Sequence, residues 1–164
     1  MHNINMKLSF ISLASGSSGN CYYLGTPDFG ILIDAGISFR TIKKVLKDNN
    51  IDISKIAAVL VTHDHADHIK TVGYLGEKMY LPVYTTADVH RGIDNSRYVE
   101  ETLNGSRRVI QKEVPFMIRD FTITAFEVPH DSTDNVGYHI VYGKHKFTFA
   151  TDVGHITDTV SKYM

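Results

Sequence analysis

The sequence predicts a layered α/β (α+β) fold with a large share of sheet, and three observations lead there. Short apolar runs of strand length recur between turns rich in glycine, asparagine and proline. Only a few stretches carry helical periodicity, and the last third turns almost wholly to strand patterning. At 164 residues, 43% hydrophobic and 21% charged, the chain has the size and composition of one globular domain with a substantial core.

The elements follow in order. "KLSFISLA" (Lys7–Ala14), "CYYLG" (Cys21–Gly25) and "GILIDAG" (Gly30–Gly36) read as strands, divided by the turns "SGSSGN" and "TPDF". Ser38 is a good N-cap. Behind it Phe39, Ile42, Val45 and Leu46 mark the apolar face of a helix whose other face carries lysines. "KIAAVLVT" (Lys55–Thr62) is a continuous apolar run, expected to be a strand buried on both faces. A second helix is expected from about Ala66 to about Gly76, then a short strand in "LPVYTT" and a helix in "TADVHRGI". From Arg107 onward "RRVIQK", "FTITAFEV", "GYHIVYG" and "KFTFATD" read as strands. Phe121, Ile123 and Ala125 alternate with Thr122 and Thr124, as a half-buried strand requires. Repeats, low-complexity segments and linkers are absent, so residues 1–164 are expected to form one domain.

Composition narrows the function classes. Lys+Arg number 17 against 18 Asp+Glu, a formal charge of −1, which supplies no overall electrostatic attraction for nucleic acid but is compatible with a local basic patch. The lone cysteine, Cys21, excludes an internal disulfide, suits a reducing cytoplasm and reads as a small buried hydrophobe. No apolar run has the length of a signal peptide core or a membrane span, so a cytoplasmic protein without a membrane partner is expected.

The densest chemistry lies in "VLVTHDHADHIK" (Val59–Lys70), where an aliphatic run meets three histidines and two aspartates within six positions. The strand ends at Thr62 and the helix starts near Ala66. His63, Asp64, His65, Asp67 and His68 therefore sit at a strand's C-terminal edge, where ligands bind in layered α/β folds. His63 and His65, two apart on extended backbone, point to one side and can chelate one ion. Asp67 and His68, at the helix start, can face a second. A lone histidine here would read as a surface polar group; three at i, i+2 and i+5 read as a metal site.

His63-Asp64-His65-Ala66-Asp67-His68 matches the HxHxDH pattern, and with it the chain resembles the metallo-β-lactamase superfamily of metallohydrolases. "DAG" (Asp34–Gly36) resembles the aspartate turn that precedes the pattern. "VPHDSTDNVGY" (Val128–Tyr138) resembles the third motif and "FATDVG" (Phe149–Gly154) the fourth. Together with "SFISLASGSSGNCYYL", these stretches are similar to the YycJ/WalJ-like branch, described as metal-dependent DNA exonucleases.

The resemblance implies an αβ/βα sandwich of two similar halves holding two divalent ions, Zn²⁺ or Mn²⁺. His63, His65 and His130 would bind the first ion and Asp67 and His68 the second, with Asp152 bridging. His63, His65, Asp67 and His130 would be the catalytic residues, using a metal-bound hydroxide as nucleophile, and Asp34 would hydrogen-bond a ligating histidine from behind. The filled site would be net positive, which suits DNA or another phosphodiester; a carboxylate-bearing lactone or thioester would also be tolerated. A hydrolase of small esters, thioesters or lactones is therefore the alternative on the same site. Asp152 stands where true β-lactamases place a metal-ligating cysteine, which counts against a β-lactam substrate.

The chain also departs from the family pattern. The family's last histidine ligand follows the fourth motif, and the sequence stops at Met164, so the fold is expected to be incomplete at its C-terminus. Either the chain is a fragment or it is an unusually short member. The second metal would then lack a ligand, a metal-binding chain without turnover becomes a third reading, and bared apolar sheet surface would favour homo-oligomers.

Several neighbours stay open at this level. Asp64 and Asp131 are solvated loop aspartates or proton shuttles, and "SGSSGN" is a hairpin turn or a phosphate cradle. His90, His139 and His145 read as structural or surface groups without partners, and His155 as pocket lining at most. Lys43, Lys44 and Lys47, with Lys144 and Lys146, are the only basic cluster.

Overall fold

The computed structural model describes residues 7–129 and 134–151. Within them a six-stranded sheet lies between a layer of helices and a second, four-stranded sheet. The first sheet holds β1 (Ser9–Ala14), β2 (Cys21–Gly25) and β3 (Gly30–Ala35) as an antiparallel meander. Helix α1 (Phe39–Asp48) then leads to β4 (Ile56–Leu60), parallel to β3. Two short helices, α2 (Ala66–Ile69) and α3 (Val72–Glu77), precede β5 (Val83–Thr86), and α4 (Ala87–Asp94) precedes β6 (Arg107–Ile110); both strands continue the parallel set. The second sheet is antiparallel, in the order β10-β9-β8-β7, from β7 (Phe116–Ile118), β8 (Phe121–Glu127), β9 (Val136–Tyr142) and β10 (His145–Phe149).

Strand alternation builds two cores. Tyr23, Leu32, Val59 and Val61 point to the helices, against Ile42 and Leu46 of α1, Leu75 of α3 and Val89 of α4. Their neighbours Leu24, Ile31, Ile33 and Leu60 point the other way, onto Phe121, Ile123, Tyr138 and Ile140 of the second sheet. The aliphatic run of β4 is thus buried on both faces, which is why it lacks polar alternation. Helix α1 starts where its sequence directs: Ser38 Oγ accepts from Thr41 N at 3.2 Å, a cap worth about 1 kcal/mol.

Two local expectations change. The helix from Ala66 to Gly76 is two helices, because Thr71 N turns aside to the β3 carbonyl of Ala35 at 2.9 Å. Strand β7 was not anticipated, since three residues after Pro115 are too few to display a period of two. The described outer face of the second sheet mixes polar and apolar groups, with Met117 exposed opposite Thr122. Thr122, Thr124, His139, Val141, Lys146 and Thr148 line it, and Phe126 is covered by Val128 and Ala150. Among the described residues no helix is long and apolar enough to cross a membrane.

Candidate metal centre

Parallel pairing brings the chemistry together. Ile33 of β3 lies opposite Leu60 of β4, and Leu60 opposite Tyr84 of β5, so these strands end side by side. Asp34 and the turn after Leu60 therefore meet at one sheet edge. The second sheet grips the same turn: Val136 N donates to Thr62 O at 2.9 Å and the Tyr138 hydroxyl to Val61 O at 2.6 Å. Burial pushes the Tyr138 hydroxyl's pKa up, so it remains a neutral donor.

At the centre is Asp34, fully buried. Its Oδ1 accepts from Thr62 N at 2.8 Å, and its Oδ2 from Thr62 Oγ1 and His68 Nδ1, both at 2.7 Å. Thr62 has a single hydroxyl hydrogen and spends it on Asp34, so its oxygen accepts at the 2.9 Å contact with His63 Nδ1. Both imidazoles are thereby held as Nδ1–H tautomers, and Nε2 carries the lone pair in each. Asp34 adopts φ 62°, a left-handed conformation that aspartate tolerates better than most residues but that is still strained.

The rings converge. His63 and His68 centroids are 4.0 Å apart, and His65 follows at 4.6 Å from His63, edge to face. His63 and His68 are buried, whereas His65 is exposed. Asp67 Oδ2 stands 3.8 Å from His68 Nε2. Among the described residues Asp34, His63 and His68 can bring donor atoms within 4.8 Å of one another. Asp34 is the weakest of these as a ligand, because its oxygens already serve three hydrogen bonds. The remaining set, imidazole nitrogens beside a carboxylate, is the donor chemistry that divalent first-row ions take.

Further residues complete the centre. Asn20, in the "SGSSGN" loop, donates through Nδ2 to Asp67 Oδ2 at 3.1 Å, and its N–H donates to Asp67 O at 2.7 Å. A Cβ on Gly36 would lie 1.7 Å from the same carbonyl, so only glycine lets β3 and α2 approach this closely. Gly16, Ser17 and Asn20 border a cavity of about 510 Å³ together with Asp67, His68 and Thr151. The loop is thus the wall of the centre as well as a turn.

The sequence-expected residues are accounted for as follows. His63, His65, Asp67 and His68 are brought together, with Asp34 behind His68. His130 and Asp152 lie outside the described residues, as do Asp131 and His155. Asp64 packs over α4, where a Cβ on Gly92 would meet its carboxylate at 1.9 Å. The four-residue α2 is too short to bring a useful helix dipole to the site. Cys21 is fully buried, and burial, with the charge of Asp34, pushes its thiol up and keeps it protonated. His90 and His139 have partners after all, Arg108 O at 2.8 Å and Thr148 Oγ1 at 3.0 Å. Lys43, Lys44 and Lys47 stand on α1 in the helical layer, and Lys144 and Lys146 at the β9–β10 hairpin in the opposite layer, so the five are not one patch. Sequence reasoning missed Thr62 and Tyr138, of which only Thr62, adjoining His63, sat where suspicion could fall; Asn20 lies in the "SGSSGN" stretch read as a turn or a phosphate cradle, but its hold on Asp67 was not anticipated.

Comparison with known proteins agrees with this geometry. A family model described as a beta-lactamase superfamily domain matches residues 30–164. Exodeoxyribonuclease WalJ of Streptococcus pneumoniae is 32% identical over 161 residues, covering 98% of this chain and 59% of the relative. Exodeoxyribonuclease YycJ of Bacillus anthracis is 33% identical over 159 residues, covering 93% and 57%. The chain therefore spans somewhat more than half the length of these relatives. The subclass B3 metallo-beta-lactamase BJP-1 of Bradyrhizobium japonicum superposes with a TM-score of 0.69 over 87% of this chain and 58% of its own, at 15% identity, a likeness of fold. With its strand-edge histidine cluster and a family match across most of its length, the chain belongs to the beta-lactamase superfamily, in its metallo-β-lactamase fold.

Proposed function

We propose that the chain serves a metal-dependent phosphodiesterase that removes nucleotides from DNA ends, in a reducing cytoplasm that suits its single thiol. One observation carries the reading: a fully buried aspartate fixes two imidazoles as ligand tautomers in a chain about a third identical to relatives named exodeoxyribonucleases. His63, His65 and His130 would hold one divalent ion, and Asp67 and His68 a second, with Asp152 between them. Zn²⁺ and Mn²⁺ both suit these donors. Such ions, when bound, supply Lewis acidity toward a phosphate oxygen and the attacking water.

The chain's own residues do the rest. Asp34 holds the proton at His68 Nδ1 and, through Thr62, at His63 Nδ1, so neither ring can turn its lone pair away. Asn20 holds the Asp67 carboxylate in place. The cavity beside them, of about 510 Å³, has room for a phosphate with its sugar between Gly16 and Ser17 on one hand and Tyr22, Asp67 and His68 on the other.

The test is metal content per chain, measured together with cleavage of a 5′-labelled DNA strand in separately added Zn²⁺ and Mn²⁺. Two ions per chain and stepwise shortening are expected. Intact DNA with hydrolysis of a small thioester or lactone would move the site to the alternative substrate class, and absence of bound metal would refute the ligand assignment.

A further inference from the structure

A second feature shares the sheet edge with the metal centre. Ser38 and Phe39 at the start of α1, Lys70 and Tyr74 around α3, and Tyr98 with Glu101 line a groove of about 310 Å³. Its aromatics are unusually open for their size: Tyr74 is 37% exposed and Tyr98 54%. Phe39 and Tyr74 rings lie 4.9 Å apart and tilted, so they fix each other, and the Arg97 guanidinium sits 5.2 Å from the Tyr98 ring centroid. Lys70 joins the groove to the centre. It lies two residues after His68, and its Nζ donates to Ser18 O at 3.4 Å, in the loop that walls the metal-site cavity. Beyond Phe39, Lys43 and Lys47 follow at intervals of four along α1, both exposed, so a basic ridge continues from the aromatic end. Glu100 and Glu101 line the groove as well, Glu100 exposed and Glu101 packed over Gly73, where an added Cβ would lie 2.5 Å from its Oε1, so the cations that can meet phosphates are Lys70 and the α1 ridge.

We propose that this groove carries a single-stranded DNA segment to the metal centre, its bases stacked on Tyr74 and Tyr98 and its phosphates facing Lys70 and the Lys43–Lys47 ridge. Exposed rings with cations close by are what a sequence-tolerant path for single strands needs, because every base offers a face to stack and every nucleotide a phosphate to neutralise. A duplex keeps its bases stacked on one another and cannot use the rings. This arrangement also reconciles a net charge of −1 with a nucleic-acid substrate, since only a local stripe needs to be basic. The inference rests on the DNA reading above.

The experiment is fluorescence anisotropy on the full chain loaded with metal. The probes are a 3′-fluorescein oligothymidine with phosphorothioate linkages, which resist cleavage, the same strand made abasic, and a blunt duplex. Tyr74→Ala and Tyr98→Ala should each weaken binding of the base-bearing strand by about fivefold or more, the low end for loss of one stacked base. Tyr74→Phe and Tyr98→Phe should bind as the parent does. The abasic strand should bind parent and alanine variants alike, which a general loss of structure could not produce. Lys43→Gln with Lys47→Gln should flatten the salt dependence for both strands. Strong binding by the parent that is unchanged in both alanine variants would overturn the groove assignment and leave the nuclease reading intact, as would equal affinity for the duplex. Failure of the metal-loaded parent to bind any of the three probes would bring down the DNA reading itself, and the groove assignment with it.

Discussion

Two buried aspartates hold this molecule together, and they are solvated differently. Asp34, fully buried, is surrounded by a backbone amide, a threonine hydroxyl and an imidazole. Asp134, 7% exposed, accepts from Thr86 Oγ1 at 2.7 Å and from Lys112 Nζ at 2.7 Å, and Lys112 also reaches Glu127 at 3.5 Å. Asp134 meets a full positive charge on Lys112, so that pair acts as a tie between the α4 cap and the segment leading into β9. Asp34 instead gathers a backbone amide, a hydroxyl and an imidazole N–H, and so fixes His68 directly and His63 through Thr62. The difference separates a fastening from a device that orients imidazoles.

Substitutions can break that contrast or sharpen it. The largest effect is expected from Asp34→Ala, which leaves three buried donors without an acceptor and puts alanine at φ 62°. A loss of about 3–5 kcal/mol in urea unfolding is expected. Asp34→Asn keeps an acceptor and tolerates the backbone, so the fold should persist while metal affinity, read by competition with a chelating dye, falls about 10- to 100-fold. Thr62→Val comes next. It removes the link between Asp34 and His63, and should cost about 1–3 kcal/mol while weakening metal binding without abolishing it.

Lys112→Met should cost about 1–3 kcal/mol: it leaves the buried Asp134 carboxylate with Thr86 Oγ1 as donor, while the lysine's own 32% exposure lets water reach the vacated position. Metal binding should be unaffected; a Lys112→Met chain that lost its metal as Asp34→Asn does would erase the distinction. Its pH dependence gives a second reading. Burial alone would lower the Lys112 pKa, but the hydrogen bond and charge of Asp134, aided by Glu127, raise it overall. A raised lysine pKa stabilises fully below the unfolded value near ~10.4 and is lost as pH climbs through the folded value. Parent and Lys112→Met should therefore converge in stability only at strongly alkaline pH.

The smallest effect belongs to His90, buried on α4, whose pKa burial lowers. Its contribution is complete above the unfolded value near ~6.5 and is lost as pH falls through the folded one. His90→Gln, which keeps a donor for Arg108 O, should show a shallower loss of stability on acidification than the parent.

Much of this was legible in the order of residues. The strands of the first sheet, the Ser38 cap, the doubly buried β4 and the half-buried β8 each follow from patterns a few residues long, because strand and helix periods are local properties. The histidine cluster was legible for the same reason: its members lie within six positions and one turn of backbone brings them together. The break at Lys70–Thr71 was not, because it is made by the carbonyl of Ala35, 36 positions away in sequence by the numbering. Strand β7 was too short to announce itself.

By itself, then, the sequence determined the layered class, the family and which histidines stand at the strand's edge, all of which rest on contiguous motifs. Only the tertiary structure decided which nitrogen His63 and His68 present, that Asn20 steadies Asp67, and that Tyr74 and Tyr98 open onto one groove. Those outcomes depend on hydrogen bonds and packing between segments tens of residues apart. No local pattern encodes such meetings; the pairing of β3 with β4 and the packing of α1 against α3 bring them about.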